Sequence, residues 1–496
     1  MSVDFRLPSA ALEQIPWVHS DHFTACIGPL EESLRALNAR IAGDGLPQGI
    51  YVNGYAYGRA FEMRPADGPQ DESIVLGWRR TLEGVEAAVA TLDTFDPASV
   101  LAGGWREVLE AHEREFWAAF GAVHRDTMGQ VFPASALWVK LYAARFGEGR
   151  REDALTMLGG FPNASTQRAS ALWALSRIAK DDADVRAAVE ADALPSSDGE
   201  AAIAFRAGFA ALLDGYGDTT NMHLLDMPTW REDPTTPLRM IAAMTPQPDE
   251  QSPEAAEARA AARREALEAD LVALDTGADA EITLLREVYR VARHLAPASE
   301  DHNLLCDQRM IAAAHRCWLR LGGVLVERGA LGAADDVFYC TLDEVVAALE
   351  GEGAVPAAEI AARRERQVAW RAVTPPSRLG VIEDEGLPPR TLRGVAASKG
   401  VHRGRARVIA ALDAANGLEP GDVLVCAATS PEWTPYFGVV GALVTASGGL
   451  LTHAAVVARE FGIAAVVGAN GATTAIPDGA MVIVDGSKGI VTILDE

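Results

Sequence analysis

Apolar positions recur at helical spacing along most of the first three quarters of the chain. Between residues 1 and 373, segments such as SLRALNARIA and TQRASALWALSRIAK place apolar side chains three and four positions apart, among good helix formers. One early segment differs, because GIYVNGYAYG at residues 49–58 groups β-forming residues around Asn53 and Gly54. The pattern predicts a mainly helical region that contains one short β-hairpin.

The pattern changes after a segment rich in proline, glycine and acidic residues. Residues 374–391 include TPPSRLGVIEDEGLPP, whose composition disfavours helix, so we expect an exposed linker that acts as a hinge. From residue 392 to residue 496, short apolar runs alternate with turns, and one helical segment, LTHAAVVAREFG, lies among them. The sequence therefore predicts a multidomain protein with a mainly α-helical domain at 1–373 and a compact α/β (β/β/α) domain at 392–496.

Composition and charge exclude several classes of function. The chain has 496 residues and a formal net charge of −25, which disfavours partners such as nucleic acid and anionic membrane surfaces. Five scattered cysteines without a CxxC pair indicate neither a zinc knuckle nor a disulfide framework, and favour a cytoplasmic protein. A Gly-Lys dipeptide is absent from the sequence, which rules out a Walker-type phosphate-binding loop.

The most informative segment is TASGGLLTHAAVVAREFGIAAVVG at residues 445–468. A β run ends at Ala446, Gly448 and Gly449 form a turn, and Thr452 and His453 begin a helix. Backbone N–H groups at a helix start would stabilise a phosphoryl group on His453, and neutral imidazole is a competent nucleophile. The two glycines would let an acceptor phosphate approach the backbone. The alternative is a histidine that only caps the helix or fills a pocket.

This segment resembles the phosphohistidine signature of the swivelling domain in the phosphoenolpyruvate-utilising, or dikinase, family. The family includes phosphoenolpyruvate synthase, pyruvate phosphate dikinase and rifampin phosphotransferase. The matching residues are Gly448, Gly449, Thr452, His453, Ala458, Arg459, Glu460 and the strand GIAAVVG at 462–468, where Ala464 replaces a frequent proline. The signature is long and ordered as the chemistry requires, so the resemblance favours a phosphorylated histidine over a structural one.

The helical region has a resemblance of its own. Segments such as DHFTACIGPL, YVNGYAYGR and EDHNLLCDQR are similar to the acceptor-binding part of rifampin phosphotransferase and of two-component aryl kinases such as phenylphosphate synthase. The chain departs from these relatives at Asp218-Thr219, where they commonly have His-Arg. The resemblance implies an ATP-dependent kinase subunit that uses magnesium, releases AMP and phosphate, and phosphorylates a small phenolic substrate, as in aromatic compound catabolism.

The resemblance also implies that the nucleotide is bound elsewhere. The chain begins directly with the helical region and ends 43 residues after His453, which leaves room for neither an ATP-grasp domain nor a barrel domain. We therefore expect ATP and Mg²⁺ on a separate ATP-grasp-type partner subunit. Two other functions stay open: a component of an antibiotic phosphotransferase, and a non-catalytic phosphocarrier or regulatory protein. The phosphocarrier would have no pocket in its helical domain.

Candidate site residues follow from the motif and from the acceptor-like segments. His302 and Arg309 lie seven positions apart, so on a regular helix they would share a face, as acceptor base and phosphoryl-stabilising group. The alternative for this segment is an exposed charged helix start, and for the tyrosines it is ordinary hairpin packing. The predicted set is His453, Thr452, His302 and Arg309 for catalysis, Gly448 and Gly449 for phosphate, and His22, Tyr51, Asn53, Tyr55, Asp301 and Asp307 for substrate.

Overall fold

The computed structural model places the helical and the α/β regions where the sequence pattern predicts them. The structure describes residues 4–7, 17–19, 26–42, 49–59, 73–101, 103–220, 224–274, 279–371, 373, 378–379, 390–410, 415, 417–429, 433–450 and 452–494. His22 and most of the predicted linker lie outside these residues. The predicted fold class is confirmed.

Helices dominate the first domain, and their bounds follow in chain order. The first group is α1 (Pro29–Ala42), α2 (Ser73–Thr94), α3 (Trp105–Ala122), α4 (Gly129–Phe146), α5 (Arg151–Thr156), α6 (Ala164–Asp181), α7 (Ala183–Glu190) and α8 (Glu200–Tyr216). The second group is α9 (Thr235–Met244), α10 (Pro253–Leu274), α11 (Ala280–Leu295), α12 (Ala298–His302), α13 (Arg309–Glu327), α14 (Leu342–Glu350) and α15 (Ala357–Arg371). Two π-helical turns, Val123–Met128 and Asn303–Gln308, connect α3 to α4 and α12 to α13.

A small sheet joins the beginning and the end of this domain. Its strands are β1 (Trp17–His19), β2 (Gly49–Val52), β3 (Tyr55–Arg59) and β4 (Arg378–Leu379), in the order β2-β3-β1-β4. The predicted hairpin is confirmed, since β2 pairs antiparallel with β3 and the turn residues Asn53 and Gly54 both have positive φ. Leu379 of β4 is buried, so this part of the predicted linker is a sheet strand rather than an exposed connector.

The second domain is built on a mixed sheet of eight strands. They are β5 (Thr391–Arg393), β6 (Val395–Ser398), β7 (Val401–Val408), β8 (Val423–Cys426), β9 (Ala442–Thr445), β10 (Ala464–Val467), β11 (Met481–Asp485) and β12 (Ile490–Ile493). The order is β5-β12-β11-β7-β8-β9-β10-β6, and β7 to β10 run parallel. The short helices are α16 (Thr434–Phe437), α17 (His453–Phe461) and α18 (Ala472–Ala475).

The two domains share a hydrophobic interface. One cluster of buried residues contains Leu172 and Trp173 of α6 together with Tyr436 and Phe437 of α16 and Ala454 of α17. This packing holds the beginning of α17 against the helical domain. Among the described residues, no helix is both long and apolar enough to cross a membrane.

Candidate active site

The glycine turn before α17 places His453 at the first position of the helix. Gly448 adopts φ +119°, and a Cβ there would lie 3.1 Å from Thr452 Oγ1. A Cβ on Gly449 would meet no heavy atom within 4 Å, so the space beside its backbone is open. Thr452 is the N-cap residue, and its hydroxyl donates to the Gly449 carbonyl oxygen at 2.8 Å rather than to the helix. The predicted helix start at His453 is confirmed.

His453 is held on both ring nitrogens by residues from different domains. Its Nδ1 lies 2.7 Å from Glu300 Oε2 of α12, and its Nε2 lies 3.3 Å from Thr434 Oγ1 of α16. The side chain is only 9% exposed. A helix-start histidine on the α/β domain alone would be accessible; here the helical domain covers it.

The protonation of Glu300 decides the tautomer of His453. Burial would raise the pKa of the Glu300 carboxyl, but its bond to His453 and the neighbouring His302 hold that pKa below its ordinary value. An ionised carboxylate only accepts hydrogen bonds, so Nδ1 of His453 must carry the proton. The lone pair then resides on Nε2, which is the ring atom able to act as a nucleophile. Glu300 therefore positions the ring and sets its tautomer.

Asp301, next in sequence, has a structural contact. Its Oδ1 accepts a hydrogen bond from the backbone N–H of Ala164, the first residue of α6, at 2.7 Å. This contact fixes α12, and with it Glu300, against the start of α6. Asp301 thus makes a contact within the helical domain, whereas the sequence predicts a contact with substrate.

The π turn after α12 separates His302 from Arg309. A π turn contains more residues than an α turn, so the seven-residue spacing no longer puts both side chains on one face. Arg309 instead pairs with Glu86 of α2 at 3.8 Å. The expectation that these two residues share a helix face is therefore wrong. His302 and Glu300 are both buried, so the segment is not an exposed helix start either.

His302 lies in a cluster with Asp307 and His124. The ring centroids of the two histidines are 5.9 Å apart, and His124 Nε2 lies 3.5 Å from Asp307 Oδ2. One ligand atom from each of the three side chains lies within 4.8 Å of the other two. His124 comes from the first π turn and Asp307 from the second, so the two irregular turns bring the cluster together.

An aromatic pocket begins beside this cluster. The ring centroids of Phe120 and His124 are 4.5 Å apart, and Phe120 lines the pocket. The cavity volume is about 140 Å³. The residues that line this aromatic pocket are Glu31, Leu34, Arg35, Glu113, Phe116, Trp117, Phe120, Leu225, Ile311, Ala314 and Trp318. Its walls are mainly apolar, with one ion pair, Arg35 to Glu31 at 2.6 Å, on the lining.

The predicted hairpin residues lie outside this lining. Tyr51 contacts it indirectly, because its hydroxyl accepts a hydrogen bond from Arg35 Nη1 at 3.2 Å. Tyr55 is buried, and its hydroxyl donates to the Trp370 carbonyl oxygen at 2.7 Å. Asn53 occupies the hairpin turn, where its side-chain amide donates to the Asp4 carbonyl oxygen at 2.9 Å. The tyrosines thus pack within or beside the small sheet.

Two family models match the regions that form this site. Residues 418–489, which include His453, match the model described as PEP-utilising enzyme, mobile domain. Residues 124–300 match the model described as rifampicin phosphotransferase fourth domain, a range that begins at His124 and ends at Glu300. The chain belongs to the PEP-utilising enzyme family.

Relatives of this PEP-utilising family member are much longer proteins. Chondramide synthase of Chondromyces crocatus is 31% identical over 544 residues, which cover 96% of this chain and 14% of that protein. A rifampicin phosphotransferase of Streptomyces is 40% identical over 185 residues, covering 36% of the chain and 21% of the relative. Phosphoenolpyruvate synthase of Aeropyrum pernix is 49% identical over 118 residues, which cover 24% of the chain and 14% of the relative. The chain therefore spans about a fifth or less of these relatives.

The sequence patterns do not identify three residues of this candidate site, Glu300, Thr434 and His124. Glu300 and Thr434 lie 153 and 19 positions from His453, and no local spacing relates them to it. His124 carries no motif of its own. The local signal is the segment EDHNLLCDQR, which begins at Glu300 and whose acidic and histidine residues predict an acceptor site.

Glu113 on the pocket wall gives a test of the local electrostatics. Burial raises the pKa of Glu113 from 4.5 to about 7, although Trp117 Nε1 donates to its carboxylate. The raised pKa means that stability is lost as pH rises from about 4.5 to 7, by about 3 kcal/mol in total. We expect Glu113→Gln to be more stable than wild type at pH 8, by up to about 3 kcal/mol, and nearly equal to it at pH 4.5.

Urea denaturation of both proteins at the two pH values measures this difference. The control is Glu115→Gln, an exposed position on the same helix, which should show no pH-dependent difference from wild type. An unchanged stability of Glu113→Gln at pH 8 would mean that the carboxyl is not buried as described.

Proposed function

We propose that the chain is the phosphohistidine and acceptor-binding component of a phosphotransferase that converts a small phenolic acceptor to an aryl phosphate. The observation that carries this proposal is the continuous arrangement of three parts. The nucleophilic ring of His453 contacts Glu300, His302 follows within the same helical turn, and the aromatic pocket begins beside His124. A series of neighbouring side chains thus runs from His453 through Glu300 and the His302 cluster to Phe120 on the pocket wall, which supports a phosphoryl carrier and an acceptor site in one protein.

Nε2 of His453 would carry the phosphoryl group. In the loading step Nε2 attacks the phosphorus, a P–O bond of the donor breaks, and Nδ1 keeps its proton. In the delivery step the acceptor oxygen attacks the phosphorus, the P–N bond breaks, and its electron pair returns to Nε2. The Nδ1 proton matters in delivery, because with it the leaving group is neutral imidazole rather than an imidazolate anion.

His302 has the properties of a base for the acceptor hydroxyl. Burial lowers the pKa of His302, so the ring is neutral at pH 7. Its Nδ1 lies 3.2 Å from the Ala298 carbonyl oxygen, to which it donates, and this leaves the Nε2 lone pair as the proton acceptor. A phenol, with a pKa of about 10, loses its proton far more readily than an aliphatic alcohol.

The size and lining of the aromatic pocket favour one aromatic ring. Its volume of about 140 Å³ is close to the ~150 Å³ of an apolar cavity that binds benzene. Phe116, Trp117 and Phe120 can contact an acceptor ring in stacked or edge-on arrangements. A pocket of this kind also argues against a phosphocarrier without an acceptor.

The phosphoryl donor would be ATP bound with Mg²⁺ on a separate ATP-grasp-type subunit, with AMP and phosphate as by-products. The His124, His302 and Asp307 cluster does not fit magnesium, which prefers an all-oxygen ligand set. His453 is covered by the helical domain in the present arrangement, so loading would require the mobile domain to leave this position. The predicted hinge, 374–391, falls largely outside the described residues, and its role stays a prediction.

An antibiotic phosphotransferase component is the second candidate. It is favoured by the match of residues 124–300 to the fourth domain of rifampicin phosphotransferase. A macrocyclic acceptor is several times larger than one aromatic ring and would have to extend out of the aromatic pocket. The two candidates therefore differ in the size of acceptor they accept.

A chemically charged chain tests the proposal without the partner. Phosphoramidate phosphorylates histidine, and the charged chain would then be mixed with phenol, an aliphatic alcohol, pyruvate or a rifamycin. We expect loss of protein-bound phosphate and formation of an aryl phosphate with phenol only. Transfer confined to the rifamycin would favour the second candidate, and transfer to none of the four would contradict both.

Phe120→Leu tests the acceptor pocket. The substitution removes a ring contact worth about 1 kcal/mol, so the KM for phenol should rise about fivefold to tenfold while charging of His453 is unchanged. Steady-state transfer at varied phenol concentration measures it. The control is Phe95→Leu, the same change in a residue that packs on the same core cluster but does not line the pocket. Equal effects of the two substitutions would place the acceptor elsewhere.

A further inference from the structure

We propose that His124, His302 and Asp307 bind one divalent transition-metal ion, such as Zn²⁺, Co²⁺ or Mn²⁺. The three side chains supply two imidazole nitrogens and one carboxylate oxygen, all within 4.8 Å of one another. Two histidines and one carboxylate on one side of an ion leave positions open on the other side. The binding of the ion does not depend on the proposed function, but its use does.

The hydrogen bonds of the two rings direct their Nε2 atoms toward the shared site. Nδ1 of His124 donates to the Phe120 carbonyl oxygen at 2.9 Å, and Nδ1 of His302 donates to the Ala298 carbonyl oxygen at 3.2 Å. Each ring is thus held by the carbonyl four residues earlier. Such a backbone contact on the second nitrogen is the usual support for a metal-ligating histidine.

The contact between His124 and Asp307 requires a positive charge. With the proton of His124 on Nδ1, the Nε2 lone pair would face the Asp307 carboxylate at 3.5 Å. A second proton on the His124 ring is one solution. A metal ion between the two atoms is the other. Ligand atoms about 3.4 Å apart are expected around an ion with bonds of about 2.1 Å.

Burial and charge around the cluster suit a cation rather than an anion. Asp307 and His302 are 3% and 8% exposed. Asp307 and Glu300 both act on His302 as negative charges. Two carboxylates beside two imidazoles give a site with affinity for a positive ion, and the imidazoles favour a transition metal over magnesium.

The position of the ion would let it act on the acceptor. Phe120 of the pocket wall packs on His124, and Ile311 and Ala314, which also line the pocket, follow Asp307 on the same chain segment. A phenolic hydroxyl bound to the ion would release its proton to solvent, as metal-bound water does. The resulting phenolate oxygen would attack the phosphorus on His453. The Nε2 of His302 would then be a ligand and not the base.

Metal binding is tested on the full, tag-free chain without donor or acceptor. After chelator treatment and dialysis, titration with Zn²⁺ or Co²⁺ in a calorimeter should give one ion per chain, with release of about one proton. Millimolar Mg²⁺ should not compete. Absence of one-to-one binding would overturn the proposal, whatever the outcome of the phosphoryl-transfer assays.

Two variants locate the ion. His124→Ala should weaken binding by at least about tenfold. His112→Ala, on α3 and packed against Phe95, should bind like wild type. Equal affinity of His124→Ala and wild type would overturn the assignment. If His124→Ala does not fold, the absorption spectrum of Co²⁺ bound to wild type decides. Bands of nitrogen and oxygen ligands without thiolate charge transfer support the site, and a thiolate band contradicts it.

Discussion

Replacement of His453 by alanine is expected to abolish phosphoryl transfer to any acceptor, with a loss of at least about 10⁴-fold. The reason is that, in the proposed mechanism, Nε2 of His453 forms the covalent bond to phosphorus, and no other group can replace a covalent carrier. The phosphoramidate-treated chain is mixed with phenol, and transfer is measured as the amount of aryl phosphate released. The variant should also lose the acid-labile phosphate.

The alanine variant has a structural cost that needs a control. It leaves the buried Glu300 carboxylate without its ring partner, which can cost about 3–5 kcal/mol and weaken the domain interface. His453→Gln keeps a hydrogen-bonding side chain at this position and should be equally inactive with a smaller loss of stability. Activity in either variant, measured on folded protein, would show that His453 is not the carrier.

Replacement of Glu300 by glutamine is expected to slow delivery to the acceptor by about 100-fold or more while His453 can still be phosphorylated. Glutamine keeps the size of the side chain but removes the negative charge that holds the proton on Nδ1 of His453. Without this proton, the leaving group is a poorer one. The delivery rate is measured by single-turnover transfer from the charged chain to phenol.

The pH profile separates this positioning role from a merely structural one. The Glu300 carboxylate stabilises the protonated phosphohistidine ring, so its loss lowers the pKa of Nδ1 in that ring. As the pH rises, the delivery rate of Glu300→Gln should therefore begin to fall at a lower pH than the delivery rate of wild type. The control Glu287→Gln, at an exposed position on α11, should keep the wild-type rate and profile. If the delivery rate of Glu300→Gln were lowered by the same factor at every pH, the substitution would only have damaged the packing.

Local patterns in the sequence were sufficient for the elements but not for the way the domains meet. The hairpin around Asn53-Gly54 and the helix start at His453 were predictable because turn residues and apolar spacing act over a few positions. Thr341 is a typical N-cap residue for the same reason, and its hydroxyl accepts a hydrogen bond from the Glu344 N–H at the start of α14. These features need no knowledge of tertiary structure.

The residues around His453 depended on long-range packing. Glu300 contacts His453 across the domain interface, and the contact becomes visible only when α12 and α17 are placed together. The pairing of His302 with Arg309 failed because apolar spacing does not reveal a π turn. The pocket was expected near the hairpin tyrosines. The aromatic pocket instead lies at α1, α3 and α13, which contribute Arg35, Phe120 and Trp318.

The central claim is that Nε2 of His453 passes a phosphoryl group to an acceptor in the aromatic pocket. The most direct measurement is ³¹P NMR of the phosphoramidate-charged chain before and after addition of phenol. The account predicts one phosphohistidine signal, assigned to Nε2 of His453 by its absence in His453→Gln, which phenol converts to the signal of an aryl phosphate. A signal that persists unchanged with phenol, or that remains in His453→Gln, would contradict it.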